Sequence, residues 1–194
     1  HVNSVSRIMT SLMILVGSVR PGRVGLSVAE WVRTQAEQYA GFDSIDFADL
    51  AEINLPFMDE PNHPMLRQYT KPHTFAWSER VDAADAFVFV TPEYNHSFSP
   101  ALKNALDYLS AEWWRKPVGF VSYGGVSAGS RGVNAIENVI LALGLVKTGA
   151  AVEITFAGKQ VEDGRFVSNE RQDSILAGVL AELAILAGAL TPLR

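Results

Sequence analysis

The chain has 194 residues and carries 16 Lys and Arg against 21 Asp and Glu, a formal net charge of −5, with 48% hydrophobic residues and no cysteine. That length suits one domain with a sizeable core, and the negative balance lacks the attraction that a nucleic acid or an anionic membrane requires. The absence of cysteine excludes disulfides, thiolate metal sites, iron–sulfur ligation and a cysteine nucleophile.

Residues 1–8 are expected to be a tag or disordered terminus, since the chain opens on His1 and offers Met9 or Met13 as a start. Residues 9–194 then form a single domain. Residues 11–16 (SLMILV) read as a strand buried on both faces, ending at Gly17. From Val24, apolar residues at Val28, Trp31, Val32, Ala36 and Tyr39 keep helical spacing until Gly41. Residues 42–47 alternate like a second strand. Residues 48–72 hold Pro56, Pro61, Pro64 and Pro72, a stretch long enough to be functional or disordered.

A helix is expected over 73–83 and a buried strand over 85–90, stopped by Pro92. Ser99 and Pro100 supply an N-cap and a first helical residue for a helix reaching about Trp114. Residues 117–122 form the next strand, 131–143 a helix, about 146–154 a further strand, and 169–190 a last helix rich in alanine and leucine. Asp163-Gly164 signals a turn between the last two. No apolar run approaches the ~20 residues of a membrane span, so a cytoplasmic protein without membrane insertion is expected.

Strands alternating with helices predict an α/β fold: a doubly wound, five-stranded parallel sheet of order 2-1-3-4-5 between two helical layers. Ligands in that plan bind beyond the carboxyl ends of strands 1, 3 and 4, where loops 17–25, 91–98 and 122–131 fall. In the first loop, Gly17 and Gly22 have P-loop spacing, but Arg23 and Val24 replace the Lys and Ser/Thr that phosphoryl transfer needs. Val19 stands where a dinucleotide fingerprint requires glycine. Ser18, Arg20, Arg23 and the backbone N–H groups opening a helix at Val24, Gly25 and Leu26 remain, a set suited to a terminal monophosphate. A strand–helix turn with surface arginines is the plain alternative. TPEYNHSFSP (91–100) and SYGGVSAGSRG (122–132) add an aromatic ring, an amide and close-approaching glycines for a planar heterocycle.

G-S-V-R in the first loop, P-E-Y-N-x-S-x-x-x-x-L-K-N-A-L-D at 92–107 and S-Y-G-G…G-S-R-G at 122–132 resemble the NADPH-dependent FMN reductase family, over nearly the whole chain. The resemblance implies a flavodoxin-like three-layer α/β/α sandwich, FMN as cofactor and NADPH or NADH as co-substrate. It puts the FMN phosphate on Ser18, Arg20 and the backbone of 23–26, the ring edge on Pro92, Glu93, Tyr94 and Asn95, and the pyrimidine end on Ser122, Tyr123, Gly124 and Gly125, with Ser127 adding a polar contact. Many members read G-S-x-R-x-x-S-x-N, whereas this chain has Arg23 and Gly25 at the Ser and Asn positions. The second arginine is then a replacement phosphate contact or a ligand of the NADPH 2′-phosphate. The flavin does the chemistry, so no catalytic side chain and no metal are expected. Glu93 and His96 read more simply as loop residues than as proton donors. A small-molecule acceptor such as a quinone and a homodimer, or a tetramer, are implied, with loop 54–72 over the partner's flavin. The competing readings are a flavodoxin-type electron carrier without nicotinamide activity and a flavin-free binding domain.

Overall fold

The computed structural model describes residues 9–194; the expectation for residues 1–8 lies outside them. The apolar run at 11–16 becomes β1 (Ser11–Val16), with every residue after Ser11 buried. Its side chains alternate between two cores, as period-2 geometry demands. Leu12, Ile14 and Val16 join the packing under one face of the sheet, while Met13 and Leu15 join the packing under the other. The following elements are α1 (Gly25–Tyr39), β2 (Ser44–Asp49), α2 (Leu50–Ile53), α3 (Pro72–Ala83), β3 (Ala86–Pro92), α4 (Pro100–Asp107), β4 (Pro117–Gly124), α5 (Ser130–Ala142), β5 (Val146–Lys147), β6 (Val152–Thr155), β7 (Val161–Glu162), β8 (Arg165–Phe166) and α6 (Glu170–Leu190).

The large sheet is parallel and ordered β2-β1-β3-β4-β5, with β6 also on β4. This is the expected order, with one difference. The strand expected at 146–154 breaks into β5 and β6, because the Thr148 hydroxyl donates to Ala150 O and Gly149 N to the Glu182 carboxylate. Trp31 and Val32 of α1 and Leu176, Val179 and Leu183 of α6 fill one core. Trp77, Leu106, Trp113 and Ile136, from α3 to α5, fill the other.

Two further expectations are corrected. The helix expected to reach Trp114 stops at Asp107 and gives way to a 3₁₀ turn at Ala111–Trp113. That turn drives Trp113 fully into the core, and leaves the buried Glu112 carboxylate accepting from Tyr69 and Ser78. Segment 54–72 is held in place: Glu60 accepts from Thr70 N and Lys71 N, and the Tyr108 hydroxyl donates to Pro56 O at 2.8 Å. Finally, α6 with the turn after it (Glu170–Leu193) is long and apolar enough to cross a membrane by length and composition, contrary to the expectation from apolar runs. In this fold its Leu176, Val179, Leu180 and Leu183 stripe packs on the sheet.

Candidate functional site

Parallel pairing brings the strand ends to one edge. Val16 pairs with Val90, and Pro92 with Tyr123, so the first loop leaves the sheet beside the other two. Gly17 N donates to Val90 O at 2.8 Å, and a Cβ at Gly17 would sit 3.0 Å from that oxygen. The first loop then turns at Pro21-Gly22. Arg23 N donates to Arg20 O, and Gly22 has φ +69°, the left-handed position that follows proline in a type II turn. The turn feeds α1, which begins at Val24 without a side-chain cap and without an acidic residue in its first turn. α4 and α6, by contrast, are capped by Ser99 and Asn169. The opening N–H groups of α1 therefore retain their capacity for an anion.

A cavity of about 380 Å³ opens at this point, lined by Ser18, Arg20, Val24, Tyr94, Tyr123 and Gly124 among others. Arg20 is exposed, and among the described residues its guanidinium has no ion-pair or hydrogen-bond partner. The Ser18 and Tyr94 hydroxyls lie 3.1 Å apart. The Tyr123 hydroxyl is buried and makes no hydrogen bond; it packs where a Cβ on Gly25 would fall. Burial pushes its ionisation well above the usual phenol range. An orphaned buried donor, a free guanidinium and an uncapped helix start around one cavity fit a phosphate, and the wall of Pro92, Tyr94 and Gly124 fits the body of an attached ring system. Replacing Tyr123 by Phe removes the orphan without removing the ring. It is expected to stabilise the ligand-free protein by up to about 1 kcal/mol, read in urea unfolding, while FMN affinity falls several-fold by fluorescence titration.

Arg23, unlike Arg20, is ion-paired. Its Nη1 and Nη2 each reach Asp49 at 2.5 Å, and Nη1 also donates to Ser18 O at 2.6 Å. The side chains of Arg23 and Asp49 are 13% and 3% exposed. The hydrogen bonds that Arg23 donates to Asp49 push its pKa up, and burial, which works against Asp49 ionisation, is outweighed by Arg23 and Ala51 N. The guanidinium is thus committed to the end of β2 and braces the first loop from below.

The second and third loops lock onto each other. Tyr94 and Ser97 exchange N–H···O bonds of 2.8 and 3.0 Å around Asn95 (φ +48°) and His96 (φ +67°), a primed two-residue turn. Glu93 N donates to Tyr123 O. The Glu93 carboxylate, 7% exposed, accepts from Ser127 Oγ at 2.6 Å and from Arg131 Nε at 2.8 Å. Burial works to raise its pKa, but Ser127 and Arg131 together hold it below the usual range. Glu93 is accordingly an ionised clamp between loops, and His96 sits 2.7 Å from Arg131 at the rim. The Ser122 hydroxyl turns beneath the third loop to Ala128 O. Asn95 and Gly125 are exposed at the rim, and Leu26, the second residue of α1, faces a neighbouring groove.

The sequence reading missed two contributors: Asp49, and a fourth wall at Phe156, Ala157 and Gly158. Phe156 N donates to Gly124 O at 2.8 Å. The signal for that wall was an aromatic and a glycine directly after a strand ending at the same sheet edge.

Residues 10–159 match the family model described as NADPH-dependent FMN reductase. An NAD(P)H-dependent FMN reductase of Schizosaccharomyces pombe is 41% identical over 125 residues, 63% of this chain and 62% of that protein, so the match spans less than two thirds of that relative. An NAD(P)H-dependent FMN reductase of a Nectria species is 34% identical over 77% of both chains. An NADPH azoreductase of a Bacillus species is 32% identical over 89% of both. Among solved structures, the flavoenzyme NAD(P)H:(acceptor) oxidoreductase of Paracoccus denitrificans superposes with a TM-score of 0.72 at 21% identity, over 94% of this chain and 99% of that one; it is similar in fold.

Proposed function

The chain belongs to the NADPH-dependent FMN reductase family, an oxidoreductase family with FMN as cofactor and NAD(P)H as co-substrate, and on that premise we propose that it reduces small quinone- or azo-type acceptors. When bound, FMN would supply the redox chemistry between NAD(P)H and the acceptor. The observation that carries the reading is the cavity in which Arg20, the start of α1 and the orphaned Tyr123 hydroxyl converge.

The chain's own work is binding and orientation. Arg20 and the α1 N–H groups take the phosphate charge, and Ser18 adds a hydroxyl. Pro92, Tyr94 and Gly124 offer a flat wall to the ring. The Glu93–Ser127–Arg131 clamp fixes the second loop against the third, so that their backbone groups are set before the ring arrives, a preorganisation that is effective in a partly dry site. Arg20→Ala is expected to weaken FMN binding by about 1–3 kcal/mol, the worth of a charged hydrogen bond. Unchanged affinity in a titration would remove Arg20 from the phosphate site.

The test of the function is spectroscopic. Purified protein carries a flavin absorbance band that bleaches anaerobically on adding NADPH and returns with a quinone or an azo dye. A yellow protein inert to both nicotinamides supports the electron carrier instead, and a colourless one that ignores FMN overturns both. A homodimer belongs to the same proposal. Phe57, Met65, Leu66 and Phe75 are 84%, 72%, 59% and 54% exposed along segment 54–72 and the start of α3, an apolar display suited to a second copy of the chain, which sedimentation reads directly. The use of the NAD(P)H pool fits a cytoplasmic setting.

A further inference from the structure

A second cavity adjoins the first. It is the larger of the two, about 950 Å³ against about 380 Å³, and runs between α1 and the β7–β8 hairpin. Gly22, Arg23, Val24 and Gly158 line both cavities. At the boundary Gly158 faces Val24, whose Cγ2 lies 3.8 Å from where a Cβ on the glycine would sit. The groove therefore begins at the phosphate end of the flavin site.

Its walls have the chemistry of a nucleotide site. Leu26 and Val161 supply apolar surface for a base above the buried Phe166, and the Glu30 carboxylate, ion-paired with Arg33, keeps further lone pairs for ribose hydroxyls. Arg165 stands on the exposed wall with no ion-pair or hydrogen-bond partner for its side chain among the described residues. The hairpin that carries Arg165 is a pair of two-residue strands around Asp163 and Gly164, both with positive φ, and contributes no strand to the main sheet.

We propose that this groove binds the adenosine 5′-phosphate half of a flavin dinucleotide, so that the protein accepts FAD as well as FMN. The proposal rests on the flavin reading of the first cavity. In FAD the flavin phosphate continues into a second phosphate and an adenosine, and the groove lies where that continuation leaves the first loop. Arg165 meets the added phosphate charge, in the way guanidinium groups favour phosphate.

The experiment compares affinities, not turnover. Flavin-free full-length protein is titrated with FMN and with FAD by fluorescence quenching, alongside Arg165→Glu and Thr34→Trp. Both substitutions fall on exposed positions in the groove, one reversing its charge and the other filling it. The expected result is an FAD Kd no more than threefold above that of FMN. In each variant the FAD Kd rises at least tenfold while the FMN Kd stays within twofold. A wild-type FAD Kd more than threefold above that of FMN overturns the proposal, as does an FAD Kd that moves less than tenfold in both variants. If 2′,5′-ADP binds FMN-loaded protein and loses affinity in Arg165→Glu while FAD does not, the groove serves the nicotinamide nucleotide and the proposal also fails. Failure of FMN itself to bind overturns the flavin reading, whereas FMN binding without FAD overturns this inference alone.

Discussion

Asp49→Ala is expected to destabilise the protein by about 3–5 kcal/mol, the cost of leaving one member of a buried ion pair without its partner. Arg23 would keep only Ser18 O as an acceptor, with 13% of its side chain exposed to recover hydration. The same carboxylate accepts from Ala51 N and caps α2, so the variant also loses a helix cap worth about 1 kcal/mol. The effect extends to the cofactor. Arg23 braces the loop that carries Ser18 and Arg20, and FMN affinity should fall together with stability. Urea unfolding with and without FMN reads both. Asp49→Asn retains an acceptor for Ala51 N and should recover the cap but not the charge pairing. If Asp49→Ala unfolds at the wild-type urea concentration, the Arg23–Asp49 pair contributes nothing to the fold.

Gly129→Val should cost about 2–5 kcal/mol, combining left-handed backbone strain with overpacking. Gly129 has φ +84°, and a Cβ there would lie 2.7 Å from Tyr123 N, 2.8 Å from Ser122 Cβ and 2.9 Å from Tyr123 O. The first and last of these are backbone atoms of β4, so the third loop would have to leave the strand it covers. That movement would also pull Ser127 from Glu93 and undo the clamp on the second loop. Gly164→Val is the matched control, since Gly164 has φ +76° with nothing near its missing Cβ. It should show the strain without the collision, a smaller loss in thermal unfolding with FMN binding retained. Equal losses in the two variants would mean that the close approach at Gly129 does not matter.

Much of the fold was legible in local pattern. Apolar runs at 11–16 and 85–90, short and bounded by Gly17 and Pro92, read as strands covered on both faces, and strands of that kind occur in parallel sheets between helices. Ser99-Pro100 announced a helix start through chemistry that acts within three residues. The loops at the sheet edge were readable because a doubly wound order puts the carboxyl ends of strands 1, 3 and 4 together. The break after Asp107 was not readable. It depends on Trp113 entering a core built from α3 and β3 and on Glu112 bonding to Tyr69 and Ser78, contacts made with residues 34 and 43 positions away.

The sequence by itself determined the element order, the sheet plan and which three loops meet, because those follow from hydrophobic period, caps and parallel pairing. Only the tertiary structure decided how each arginine of the first loop is partnered. Arg20 and Arg23 are chemically identical and three positions apart, yet β1–β2 register sets Asp49 beside Val16, within reach of Arg23 and not of Arg20. That pairing joins residues 26 apart and is fixed by strand register, which no local pattern encodes. The wall at Phe156–Gly158 has the same origin, since β6 reaches the site by pairing with β4.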